Sequence, residues 1–166
     1  MLTFRVELTG ALLTDPTVLE RFDGEIQATL AELGAYGQRL VVQGAPRGVS
    51  AGGGGLRGSV FTEMRGVPAR RQAIVSSSVY YAPIVEAGRR PGRRPPLEPI
   101  RLWVVRKLGV SVVGASRVAF LVARKIGRQG TAGAHMFERA AQALGPVAAN
   151  SVQALGEKLS RVLRGG

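Results

Sequence analysis

Apolar and polar residues alternate at the start of the chain and then adopt a helical period. Thr3 to Leu8 alternates as a half-buried strand does. Asp15-Pro16 is typical of a helix start, because Asp caps free backbone N–H groups and Pro is tolerated in the first turn. Apolar residues then recur every three or four positions from Val18 to Leu40. The pattern predicts a strand followed by a long helix over about 16–42.

The middle of the chain favours loops and a hairpin. Residues 44–58 contain seven Gly and one Pro, so they offer little to bury and predict a flexible loop without regular structure. Residues 59–64 and 72–80 are strand candidates joined by a turn at 66–68, which predicts a hairpin. A short helical turn is then expected to end at Gly88, and a second flexible loop is expected over 88–97.

The last third of the chain repeats its apolar residues with a helical period in three stretches, which begin near Ile100, Ala115 and Phe137. Gly145-Pro146 interrupts the third stretch, so this helix is either kinked or begins anew at Pro146. The predicted fold is α+β: a small antiparallel sheet of three or four strands packed against a long N-terminal helix and C-terminal helices.

Length and composition allow one hydrophobic core. The chain has 166 residues, of which 45% are hydrophobic, and we expect a single domain over 1–166. Phe22, Trp103 and Phe137 lie on apolar helix faces and are expected in this core. Trp103 is the only tryptophan, whereas nucleic-acid surfaces usually interleave several aromatics with basic residues. We expect no membrane span and no signal segment, and the absence of Cys excludes disulfides and thiolate sites.

The net charge of +12 is concentrated in one part of the chain. Residues 1–50 carry a formal charge of −2, whereas residues 89–128 hold eleven Arg and Lys against Glu98 alone. Such a patch implies an acidic partner, which could be nucleic acid, membrane lipid or an acidic protein surface.

No group of residues predicts catalysis. His135 is the only histidine, and its neighbours supply no ligand or orienting carboxylate, so it is expected to be an ordinary helix-start or interface residue. The Gly52 to Gly55 run lacks the Gly-Lys-Ser/Thr ending of a phosphate-binding loop. Ser76 to Ser78 have no base to activate them. The sequence therefore predicts a protein that is not an enzyme and has no cofactor or metal.

An ordered series of anchors runs from Tyr80 to Phe137. Its members are Tyr81-Ala82-Pro83-Ile84-Val85-Glu86-Ala87-Gly88, then Leu102-Trp103-Val104-Val105-Arg106-Lys107-Leu108-Gly109, then an apolar segment ending Lys125-Ile126-Gly127-Arg128-Gln129-Gly130-Thr131, then Met136-Phe137. Their order and spacing resembles the tail-completion (tail-to-head joining, or neck) proteins of long-tailed, siphovirus-type bacteriophages. The similar segments are 56–66, 79–88, 102–109 and 119–137.

The resemblance implies a structural virion protein with a small α+β fold, assembled in the host cytoplasm, that forms a ring at the head–tail junction, usually a hexamer. The implied partners are a head-closure (stopper) protein, a tail terminator or tail tube protein, and genomic DNA that passes through the lumen without sequence-specific binding; no membrane is implied. Glu86 lies where the family keeps an acid next to a glycine turn. It is therefore expected to fix that turn or to contact a neighbouring subunit.

The arginine loop, Arg89, Arg90, Arg93 and Arg94, is the predicted partner interface, together with Glu86. In a hexamer it would supply about 24 guanidinium groups, and a DNA channel lined with them would retain the genome. We therefore expect the loop to face an acidic surface of an adjoining protein ring, where Arg pairs bidentately with carboxylates. The alternative is a small basic nucleic-acid-binding protein that grips phosphates with residues 89–128.

Overall fold

The computed structural model describes residues 1–9, 16–47 and 55–164, which fall into two compact units. The first unit comprises residues 1–45, 59–78 and 136–166, and the second comprises residues 46–58 and 79–135. The prediction of a single domain over 1–166 stays a prediction. The elements in chain order are β1 (Leu2–Glu7), α1 (Pro16–Gly44), α2 (Gly55–Gly58), β2 (Val60–Val67), β3 (Arg70–Ser77), α3 (Ala82–Ala87), α4 (Leu97–Leu108), α5 (Val112–Gln129) and α6 (Met136–Arg164).

The first unit is an antiparallel sheet packed against two long helices. The strand order is β1-β3-β2, and both edge strands run antiparallel to β3. α1 packs on all three strands and on α6, so the predicted α+β class and its layers are confirmed. β1 alternates half-buried and exposed residues as its sequence predicts. Asp15, the predicted cap of α1, lies outside the described residues.

The core of the first unit lies between α1, α6 and the sheet. Ile26 and Leu30 of α1 pack with Ala73 of β3 and Leu155 of α6, and all four are buried. Phe22 and Phe137 are also buried, each 6% exposed, so their predicted core positions are confirmed. α6 continues through Pro146 as one helix, which removes the alternative that a new helix begins there.

Two glycines that weaken the helical propensity of α1 are the points where it approaches its neighbours. A Cβ on Gly34 would lie 2.6 Å from Cγ2 of Thr62 on β2, and a Cβ on Gly37 would lie 3.1 Å from Cδ1 of Leu144 on α6. The cost of glycine within a helix is about 1 kcal/mol relative to alanine. Here the missing side chains let the helix pack closely on the sheet and on α6.

A buried ion pair joins α1 to β3. Nε and one terminal nitrogen of Arg71 donate to the two carboxylate oxygens of Asp23, each at 2.7 Å, and Gln27 donates to the same carboxylate at 2.6 Å. Asp23 is only 7% exposed. The hydrogen bonds from Arg71 hold the pKa of Asp23 below its usual value, because they favour the ionised carboxylate.

The hairpin turn lies later than the sequence predicts. β2 runs on through Val67, and the turn residues are Pro68 and Ala69 instead of residues 66–68. Pro presets φ at the second position of such a turn, and Ala69 adopts the positive φ, 67°, that the third position of a type II turn requires. As a result β3 begins at Arg70, two residues before the predicted start.

The loop predicted over 44–58 is wrong at both ends. Gly44 is the last residue of α1, and Gly55–Gly58 forms the short helix α2. The reason in the second case is Leu56, which is 4% exposed and gives this glycine-rich stretch one large apolar side chain to bury. Residues 48–54 lie outside the described residues.

The second unit is built on the packing of α4 against α5. Val104 of α4 is fully buried and packs with Ala115 and Ala119 of α5. The predicted core position of Trp103 is wrong, because this side chain is 37% exposed. The alanines of α5 present only methyl groups, so α4 can approach α5 closely. The residue at this contact is Val104, which follows Trp103 in the sequence. Within the described residues, no helix is long and apolar enough to cross a membrane.

Candidate partner interface

The glycine turn after α3 begins the predicted interface. α3 ends at Ala87 with Gly88 as its C-cap, which agrees with the predicted end of the helical turn, and the chain then forms an isolated antiparallel bridge between Arg89 and Thr131. The N–H of Arg89 donates to the carbonyl of Thr131 at 2.9 Å, and the N–H of Thr131 donates to the carbonyl of Arg89 at 2.8 Å. The start of the arginine loop is therefore fixed to the chain that follows α5.

Backbone hydrogen bonds on either side extend this bridge. Beyond Thr131, Ala134 donates to the carbonyl of Val85 at 2.7 Å and His135 donates to that of Glu86 at 3.1 Å. On the loop side, the N–H of Gly92 donates to the carbonyl of Gly127 at 2.8 Å. Segment 79–88 and the part of segment 119–137 that ends at His135 are thus in direct contact within the second unit, and these are two of the four segments in which the resemblance lies.

Three glycines make this contact possible. Gly88 and Gly130 have φ of 77° and 72° with ψ of −170° and −160°, a region open almost only to glycine. A Cβ on Gly88 would overlap the carbonyl oxygen of Thr131, and one on Gly130 would overlap that of Arg89. A Cβ on Gly133 would overlap the carbonyl oxygen of Glu86. The chains approach each other through main-chain atoms, and these positions have no room for a side chain.

Glu86 and His135 meet at this contact. The main-chain carbonyl of half-buried Glu86 accepts the hydrogen bond from His135, so the backbone of Glu86 helps to fix the turn. His135 directly precedes α6 and has a positive φ of 47°. A contact of the Glu86 side chain with a neighbouring subunit stays a prediction. Within the described ranges, no cluster of three or more His, Asp or Glu residues could hold a metal ion.

The four arginines of the loop are not equivalent. The guanidinium of half-buried Arg89 donates to the carbonyl of Arg93 and so holds the loop together. Cζ of Arg94 lies 5.3 Å from the centre of the Phe120 ring on α5, within the range of a cation–π interaction. Arg90, Arg93 and Arg94 are all exposed. Arg89 therefore holds the loop together, Arg90 and Arg93 face outward, and Arg94 contacts Phe120 while staying open to solvent.

A shallow cavity lies between the loop and α5. Its volume is about 270 Å³, and its lining is Gly92, Arg94, Phe120, Arg124, Gly127 and Arg128. A Cβ on Gly127 would lie 3.0 Å from Cγ of Arg94 and 3.2 Å from the carbonyl oxygen of Gly92, so this glycine lets the loop lie close to the helix. Guanidinium groups and one aromatic ring dominate the lining, which suits an anion with an apolar part.

The positive charge of the chain is almost entirely in the second unit. This unit contains thirteen Arg and Lys against Glu86 and Glu98, a formal charge of +11, which leaves +1 for the first unit. Glu98 is paired with Arg101 at 2.7 Å, and its pKa is lowered by these hydrogen bonds. Among the described residues, Arg124, Lys125 and Arg128 form no ion pair. The acid available within the unit cannot neutralise its basic surface.

Comparison with protein-family models, with curated proteins and with solved structures finds no match to this chain. The sequence prediction identified the loop, its charge and the turn at Gly88. It missed the outward-facing arginines of α5, because the helical period was used only to find the buried face. The signal is present in the sequence: Arg117, Arg124 and Arg128 recur at spacings of seven and four.

Proposed function

We propose that this chain is a non-enzymatic structural subunit of a ring at the head–tail junction of a long-tailed phage. It would join the head-closure complex to the tail tube or its terminator, with DNA passing through the centre, and would be part of the virion after assembly in the host cytoplasm. The observation that carries the proposal is the contact between segments 79–88 and 119–137 through Gly88, Gly130 and Gly133. Anchors that are separate in sequence are thereby parts of one packed module.

Exposed apolar side chains of the second unit support assembly with other subunits. Among the described residues of this unit, seven large apolar or aromatic side chains are 47% exposed or more: Tyr80 at 89%, Ile84 at 52%, Leu102 at 47%, Leu108 at 52%, Val112 at 62%, Val113 at 92% and Leu121 at 53%. Large apolar side chains are costly to expose to water, and patches of them usually mark an interaction site. In a ring subunit such side chains would be covered by neighbouring subunits or by the adjoining ring.

Mass photometry tests this proposal. The chain would be measured alone and after mixing with a head-closure ring, with a mixture containing an unrelated acidic ring protein as the control. We expect monomers alone and closed oligomers, six copies in the simplest case, only on the head-closure ring. A monomer that ignores the head-closure ring would refute the proposal, and equal binding to both rings would reduce it to non-specific charge attraction.

A nucleic-acid-binding protein is the second candidate, and the +11 charge of the second unit favours it. A protein that binds duplex DNA through its phosphates loses affinity steeply as salt rises. The logarithm of the binding constant falls with the logarithm of the salt concentration, with a slope of about −0.9 for each phosphate neutralised. Titration of duplex DNA at several salt concentrations separates the candidates. Tight binding at low salt that falls with a steep slope supports the nucleic-acid reading, and weak binding at every salt concentration supports the neck reading.

A further inference from the structure

α5 has two opposite faces of different character. Ala115, Ala119 and Ala123 are buried and form its inner face. The opposite side, which we call the outer α5 face, covers an arc of roughly 100° at the helical repeat of 100° per residue. Its residues, all exposed, are Val113, Arg117, Phe120, Leu121, Arg124 and Arg128.

The outer α5 face mixes apolar and cationic side chains along its whole length. Val113 is 92% exposed, Phe120 42% and Leu121 53%, and the three arginines lie between and beyond them. Among the residues that the structure describes, the three arginines have no ion-pair partner. Arg94 adds a fourth guanidinium beside Phe120. A ligand that covers this face must supply both anionic groups and apolar surface.

A protein helix that carries both carboxylates and apolar side chains supplies the anionic groups and the apolar surface. A phosphate backbone supplies the anionic groups but little apolar surface. Arg pairs bidentately with carboxylates as well as with phosphates, so the arginines alone do not discriminate. Val113 and Leu121 do, because the backbone of duplex DNA presents mainly charged and polar atoms and only the small apolar surface of its sugars. An amphipathic helix with acidic and apolar side chains would cover the arginines and the apolar residues together.

A second copy of this chain is a poor occupant. The chain has eleven acidic residues against 23 basic ones, and among the described residues at least five of the acids are already in ion pairs: Glu7, Asp23, Glu25, Glu63 and Glu98. α1 carries the largest group of acids, but Asp23 and Glu25 are among those paired. The charge that complements the outer α5 face must therefore come mainly from a different, acidic protein.

We infer that the outer α5 face is a docking surface for an acidic amphipathic helix of a different protein. This inference rests on the proposed function only in placing that helix on an adjoining ring of the neck. The chemistry of the partner follows from the side chains of α5 and of the loop beside it.

Fluorescence anisotropy of the full-length chain at about 0.15 M salt tests the inference. Three labelled probes are used: a peptide of about 21 residues with Leu and Glu at heptad spacing, the same peptide with Ser in place of Leu, and a duplex DNA of about 30 base pairs. We expect the Leu-containing peptide to bind at least about tenfold more tightly than the Ser-containing one. Equal affinity of the two peptides, or tighter binding of the duplex, would overturn the inference.

Three variants locate the binding. Arg117→Gln, Arg124→Gln and Arg128→Gln together are expected to weaken binding of the Leu-containing peptide about tenfold or more. Phe120→Ser with Leu121→Ser is expected to weaken it similarly while leaving DNA affinity within about twofold. The matched control combines Arg21→Gln, Arg161→Gln and Arg164→Gln, which remove the same charge from the first unit. If the control lowers peptide affinity as much as the α5 variants do, net charge and not the outer α5 face accounts for binding.

Folding and assembly are checked separately. All substituted residues are exposed, so circular dichroism and thermal unfolding of each variant should match those of the parent chain. Peptide binding is measured on the isolated chain and does not require a ring, whereas the neck proposal is tested by ring formation on the head-closure protein. Loss of one result without the other therefore shows which of the two ideas has failed.

Discussion

Substituting Gly130 by Ala tests whether main-chain contact at the Arg89–Thr131 bridge holds the second unit together. Gly130 has φ 72° and ψ −160°, and an alanine side chain there would overlap the carbonyl oxygen of Arg89. Holding a non-glycine residue in this region costs about 1–3 kcal/mol. Relief of the overlap also breaks the two bridge hydrogen bonds, each worth about 1 kcal/mol net. We expect Gly130→Ala to lower the free energy of unfolding of the second unit by about 3–5 kcal/mol.

Gly109→Ala is the matched control. Gly109 also has a positive φ, 65° with ψ 15°, but a Cβ there would meet no atom within 4 Å. The expected cost is about 1–2 kcal/mol, from backbone conformation alone. Urea unfolding measures both variants, and hydrogen exchange reads the amides of Arg89 and Thr131, which should be deprotected only in Gly130→Ala. Equal losses of stability in the two variants, or unchanged exchange at these amides, would refute the role given to the bridge.

Three further substitutions concern the first unit. Asp23→Asn is expected to lower the free energy of unfolding by about 2–3 kcal/mol at pH 7, because Arg71 loses its carboxylate partner in a largely buried site. The control Glu25→Gln breaks the more exposed pair with Lys158 and should cost less than about 1 kcal/mol. The pKa of Asp23 is lowered, so the stabilisation from its pair is complete above about pH 4 and is lost as pH falls through the folded-state pKa. The free energies of unfolding of the parent and of Asp23→Asn, measured in urea, should therefore converge in acid. A difference that stays constant with pH would contradict this. Ala69→Gly is expected to raise the melting temperature through relief of about 1 kcal/mol of strain at φ 67°, and calorimetry showing no gain would remove the strain.

The fold of the first unit could be predicted because its periodicities are simple. β1 alternates with a period of two, and α1 keeps a helical period over 29 residues. Both signals depend only on which side of one element faces the core. The hairpin turn was displaced by two residues because Gly66 attracts a turn prediction, whereas Pro68 and Ala69 supply the dihedral angles that the turn needs.

The second unit was less predictable because its elements pack through unusual residues. Trp103 and Val104 are neighbours on α4, and Val104 is the buried one because it packs against Ala115 and Ala119 of α5. The sequence indicated an arginine-rich loop but not that Arg89 and Arg94 would be used within the unit. Such roles depend on the bridge to Thr131, which joins residues more than forty positions apart.

The contact at Gly88, Gly130 and Gly133 depends on where the three glycines lie in the sequence and little on the identity of the side chains around them. The backbone hydrogen bonds across it join amides to carbonyls, groups that nearly every residue type provides. Positions such as Gln129 and Ala132 could therefore accept many substitutions in a saturation mutagenesis experiment, while the three glycines would accept almost none. Two chains could share this module and differ at most other positions. Such a contact would be recognised in a sequence by a few glycines at fixed intervals. The residues between those glycines would be free to evolve a new partner surface.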